Sequence, residues 1–169
     1  MKTSTLIPHA LKIGVLLLVS AFAVSAEETP AKINPDKPVY GDYQNWRLLS
    51  ISHRLDKQTL RAILGNDTAI DAARKGNTKP WPDGTIITKV VWKEKNHANW
   101  PQAIVPDTLE KAEAMVKDQK KYEKTGGWGF AKWEGNNLTI YDEAKSKECF
   151  ACHLPMQSND YVYNAPVLQ

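Results

Sequence analysis

The sequence predicts an α+β fold in one domain, and three observations carry that prediction. Short runs of strand-like composition recur between turn signals, capped helix-like stretches interrupt them, and residues 27–169 suffice for one sizeable core. The 169-residue chain begins with Lys2 and Lys12, an apolar run from Ile13 to Val24, and Val24-Ser25-Ala26 before the acidic Glu27-Glu28. A basic start, an apolar middle too short for an ordinary bilayer crossing and small closing residues describe an export leader over residues 1–26, cleaved after Ala26. An uncleaved anchor is the alternative. The domain is therefore expected over residues 27–169.

Glu27 to Tyr43 carries Pro30, Pro35 and Pro38 and reads as an extended lead-in. Trp46 to Arg54 and Thr59 to Leu64 read as strands of a hairpin, the second closed by Gly65-Asn66. Asp67 to Lys75 reads as a short helix capped by Asn66 or Asp67, with Ala69, Ile70 and Ala73 inward and Gly76 past its end. After the turn cluster Pro80-Trp81-Pro82-Asp83-Gly84, Thr85 to Lys93 is the clearest strand of the chain. Alternation puts Ile87, Lys89, Val91 and Lys93 on one of its faces, Ile86, Thr88, Val90 and Trp92 on the other. Asp107 to Tyr122 reads as an amphipathic helix, with Asp107 and Glu110 in capping-box spacing and Leu109, Ala112, Met115, Val116 and Gln119 along one side. Gly126-Gly127 breaks it. Trp128 to Trp133 and Leu138 to Tyr141 read as strands joined at Gly135-Asn136-Asn137, and Lys145 to Cys149 starts a helical turn.

There are 22 Lys and Arg against 19 Asp and Glu, and two of the lysines lie in the leader. A nearly neutral domain without a basic block excludes nucleic acid as a partner. Both cysteines of the chain fall in Cys149-Phe150-Ala151-Cys152-His153. C-x-x-C alone fits a disulfide or a redox pair; the following histidine selects covalent haem attachment, with each thiol adding to a vinyl group and His153 ligating iron. A thioredoxin-like pair is the alternative, but no βαβ pattern surrounds the motif. One covalent haem c held by Cys149, Cys152 and His153 is thus expected.

Only residues 154–169 follow the motif, so the far side of the haem must come from upstream. Candidate sixth ligands are Met115, Met156, His53 and His97. Met156 is too near His153 to cross to the opposite face, Met115 reads as core and His97 as an exposed loop residue, while His53, at a strand end beside Arg54, stays open as the minority candidate, which would make the chain an electron carrier. Elimination leaves five-coordinate iron with an open position, which suits small-molecule chemistry better than electron carriage.

Several segments then resemble the P-460 cytochromes and their relatives, the cytochromes c′-beta. They are Ser52-His53-Arg54, Leu60 to Asn66, Pro80 to Gly84, Gly84 to Lys93, Thr125 to Phe130, Glu148 to His153 and Asn159 to Val162. The resemblance implies a predominantly antiparallel β-sheet with a few helices, a homodimer, a periplasmic location and a five-coordinate haem. In P-460 members a lysine also bonds the porphyrin edge, and the iron oxidises hydroxylamine to nitrous oxide or nitrite, passing electrons to an external cytochrome or other redox protein. The c′-beta relatives lack that bond and bind nitric oxide or carbon monoxide, so fold alone does not separate oxidase from gas binder. Lys89, central in its strand, is the candidate cross-linking lysine, with Lys93 and Lys79 in reserve. An amine facing the haem is costly to bury as a cation and is the nucleophile such a bond needs; an exposed edge lysine is the alternative. Hydroxylamine oxidation also needs a proton acceptor. Glu134 is the candidate base against a solvated turn residue, and Arg54 a candidate hydrogen-bond donor to bound ligand against a surface ion pair. A pocket lined only by small residues around Ala131 would bind gas without oxidising.

Overall fold

The computed structural model describes residues 43–134 and 137–167. The expected leader, its cleavage site and the turn at Gly135-Asn136 lie outside them. Among the described residues six strands follow one another in a single antiparallel meander: β1 (Arg47–Arg54), β2 (Thr59–Gly65), β3 (Ile86–His97), β4 (Trp100–Lys117), β5 (Trp128–Glu134) and β6 (Asn137–Ile140). Helix α1 (Asp67–Arg74) links β2 to β3, and α2 (Glu143–His153) follows β6. The α+β class and its antiparallel sheet are as expected from the sequence.

The β1–β2 hairpin carries one extra residue. Leu48 pairs with Leu64 but Ser50 with Ile63, so Leu49 bulges out of the ladder and turns into the core, where it is buried. Gly65 makes room for it: a Cβ there would lie 2.6 Å from Leu49 Cδ1. Asn66 then starts α1, its Oδ1 accepting from the backbone N–H groups of Ala69 and Ile86, each at 3.0 Å, while its Nδ2 donates to the Gly84 carbonyl at 2.9 Å. One side chain thus caps the helix and pins it to the start of β3.

The expected helix over 107–122 is strand through Lys117 and turn beyond it. β4 runs through Lys117, and from residue 111 onward its burial alternates, with Ala112, Ala114 and Val116 buried on one face and Glu113 and Met115 partly covered on the other. Ala, Glu and Lys favour helix weakly, but β3 and β5 offer ladders on both sides, and pairing overrides a propensity of tenths of a kcal/mol per residue. A register step between Val91 and Trp92 skips Glu110, which breaks the alternation and lets Leu109, Ala112 and Val116 mimic a helical stripe.

The sheet packs on both faces. One face joins Ile63, Ile87, Trp128 and Phe130 to α1 and to Trp81 and Val162; Met115, Cys149, Phe150 and Tyr161 pack against this cluster. The other face joins Ile86, Ala114, Val116 and Ala131, with Trp46, Tyr122 and Trp133 against them. The first face carries α2 and hence the cysteine-histidine motif.

Candidate functional site

Helix α2 starts at Asp142, whose carboxylate accepts from the Lys145 backbone N–H at 2.8 Å, and ends at His153. Its last turn presents Cys149, half-buried, and Cys152, exposed, both free thiols. Burial pushes the Cys149 thiol up, and the Glu113 and Glu148 carboxylates push it the same way against Lys145. That is the reverse of the depressed thiol a redox C-x-x-C pair requires.

His153 Nδ1 lies 2.7 Å from the carbonyl oxygen of Tyr161. A carbonyl only accepts, so Nδ1 carries the proton and donates, and the Nε2 lone pair remains for a metal. Burial lowers the imidazole pKa, with the Tyr161 bond opposing and Lys89 reinforcing, which keeps the ring neutral. Phe130 and Tyr163 hold it at centroid distances of 5.6 and 5.3 Å.

Facing this helix the sheet carries a polar row. Lys89 pairs with Ile63 on one side and Glu113 on the other, and Glu113 pairs in turn with Lys132. Residues opposite one another share a face, so Lys89 and Glu113 project together, 2.7 Å apart from Nζ to Oε2, and the Lys111 ammonium reaches the other Glu113 oxygen at 3.0 Å. Burial pushes the Glu113 carboxyl up; Lys89 and Lys111 outweigh it and hold the group below its ordinary value. Next to this row Arg61, paired with Val91, has a buried Nε with no hydrogen-bond partner. Burial depresses its pKa, and the group is fitted for an anion.

The site residues expected from sequence divide clearly. Cys149, Cys152, His153 and Lys89 belong to α2 and the sheet face it covers. Arg54 does not join them: its guanidinium is spent on Asp56 at 2.5 and 2.6 Å across the β1–β2 turn. Glu134 ends β5 opposite Asn137, and its side chain lies outside the described residues. His53 pairs with Leu60 and so faces away from Arg61 and Lys89; its imidazole meets Glu94. His97 is exposed at the end of β3, and Met115 packs against the core cluster. Sequence reasoning missed Glu113 and Arg61. Glu113 was hidden by the helix reading of 107–122, whereas Arg61 was legible, two residues from Ile63 in a recognised strand.

The donor set fits a haem: two unspent thiols and one unprotonated imidazole nitrogen on a single helix end, with the unpartnered Nε of Arg61 nearby for an anionic substituent. A single antiparallel sheet with this set over one face defines a small cytochrome of the α+β kind. The model of the Cytochrome P460 family matches residues 41–164. The chain belongs to that family and is a haem protein. No curated protein matches it.

Proposed function

We propose that this chain is an exported, periplasmic cytochrome with one covalent haem c that oxidises hydroxylamine to nitrous oxide or nitrite. Cys149 and Cys152 would hold the haem through thioether bonds and His153 would ligate its iron through Nε2. When bound, the haem supplies the electron sink, which an external cytochrome or other redox protein empties; a homodimer is the expected assembly. The observation that carries the reading is the Lys89–Glu113 pair on the sheet face toward His153.

The pair has two uses. Bonding of the Lys89 nitrogen to a porphyrin edge carbon would replace a C–H bond there and release two electrons to the external redox protein; the amine would first have to lose its ammonium proton, and Glu113 is in contact to accept it. Once Lys89 is a neutral amine, Glu113 loses an ion-pair partner and becomes a better proton acceptor for the N–H and O–H protons released during oxidation. Arg61 orients anionic groups at the same face. Glu134 stays an alternative base, and Arg54 an outer residue that closes the hairpin.

The same ion pair also favours a second reading, a nitric oxide-binding protein of the c′-beta kind. An ammonium paired with Glu113, as Lys89 is here, offers no lone pair for bonding. The optical spectrum and intact mass of the mature protein separate the two. A strongly red-shifted ferrous Soret band with a haem peptide joined to Lys89 is expected; an ordinary high-spin c-type spectrum without that peptide overturns the oxidase reading in favour of gas binding.

A further inference from the structure

A cation buried on the proximal side has no part in the chemistry above. Lys117, at the end of β4, has a side chain with 0% exposure. Its ammonium donates to Asp160 Oδ1 at 2.7 Å and to the Gly126 carbonyl at 3.1 Å, and lies 4.9 Å from the centroid of the Trp128 ring. Asp160 is equally occupied. Its Oδ2 accepts from the Trp81 backbone N–H at 2.8 Å, and its carbonyl accepts from Trp128 Nε1 at 2.9 Å. Such an arrangement is expensive in desolvation and is no efficient way to gain stability alone.

What the network holds is an unusual piece of backbone. Asp160 and Tyr161 both have positive φ, 50° and 65°, a region that costs side-chain-bearing residues free energy unless their surroundings enforce it. The double left-handed turn directs the Tyr161 carbonyl at His153 Nδ1. Gly126 leaves room for the Tyr161 ring, since a Cβ there would lie 2.4 Å from it. Fixed partners on Asp160 therefore fix the one acceptor that sets the His153 tautomer.

We propose that Lys117 and Asp160 are positioning residues for the proximal ligand: they lock the Tyr161 carbonyl onto His153 and thereby set the donor strength of the axial nitrogen. The proposal rests on His153 being the iron ligand. A strong Nδ1–H···O=C bond makes the opposite nitrogen a better donor, and a loosened bond makes it a poorer one. In Asp160→Asn the Trp81 bond is retained but the charge facing Lys117 is lost. Lys117→Met removes the cation and keeps a long apolar stem.

The test is resonance Raman spectroscopy of the ferrous haem-loaded protein, with the midpoint potential measured alongside. Both variants are expected to move the iron–histidine stretching band to lower frequency and the potential upward. Ile70→Val, a trimming of the same core cluster in α1, is expected to lower the melting temperature and leave the band in place. Should either variant fail to load haem, Trp128→Phe, which removes only the donor to the Asp160 carbonyl and the indole face, is expected to shift the band in the same sense. A folded network variant that melts lower with an unmoved band overturns the proposal alone. Absence of an iron–histidine band in the unaltered protein overturns the ligand assignment and the proposal with it.

Discussion

At the scale of single residues the site turns on Glu113. Burial is the largest influence on its carboxyl and acts to raise its pKa, yet Lys89 and Lys111 bring it below the ordinary value. A depressed carboxylate contributes stability that is fully present above its unfolded pKa and is lost as pH falls through the folded one. Lys89→Met removes the larger cationic influence, and burial then prevails: the Glu113 pKa is expected to rise, followed by carbon-detected NMR titration of the glutamate carboxyl. An unmoved titration would show that Lys89 is not what holds it. A protein cross-linked through Lys89, as proposed above, should resemble the variant in this respect, because a bonded lysine carries no compensating charge. Glu113→Gln is accordingly expected to slow hydroxylamine turnover by about a hundredfold, within the usual range for loss of a general base. Full turnover in Glu113→Gln combined with loss in Glu134→Ala would return the role to Glu134.

At the scale of elements, legibility followed how local the determining forces are. The β1–β2 hairpin, α1 and the core of β3 were readable, since alternation, the Asn66 cap and the turn cluster before β3 are properties of neighbouring residues. β4 was not, because its state is decided by partners remote in sequence and its bulge at Glu110 counterfeits helical spacing. Misreading it also concealed the polar row, whereas the cysteine-histidine motif, wholly local, was plain. Asn66 shows how much one local signal can carry. Asn66→Ala removes the cap of α1 and leaves the Ile86 N–H and the Gly84 carbonyl unpaired. A cap is worth about 1 kcal/mol and each orphaned, part-buried group up to about as much again, so a loss of roughly 2–3 kcal/mol is expected in denaturant unfolding. Asn66→Asp, which keeps the acceptor, should lose less than half of that; equal losses would refute the double role.

At the scale of the whole molecule the sheet is uneven in support. From Ile87 to Trp92, β3 has β2 on one side and β4 on the other, and among the described residues β4 gains β5 from Ala112 to Lys117. Beyond those limits, among the described residues, Lys95–His97 and Trp100–Val105 pair only with one another, as a two-stranded ribbon, with Trp100 63% and Ile104 40% exposed. Two strands without a covered face are marginal in water. The body differs, since one cluster joins α1, the sheet and the segment after α2, and the Val167 N–H closes it by donating to the Leu49 carbonyl at 2.8 Å. Local openings of the ribbon cost little, whereas opening of the body exposes the cluster as a unit. Amides of Lys95, Asn96 and Ile104 are therefore expected to exchange with deuterium at least a hundredfold faster than those of Val90 and Ala114, read by mass spectrometry of overlapping peptides. Equal protection at high protein concentration that disappears on dilution would mean that a second copy covers the ribbon. Equal protection at every concentration would instead refute the division of the sheet into a firm body and a yielding arm, leaving the site on a scaffold more uniform than its pairing implies.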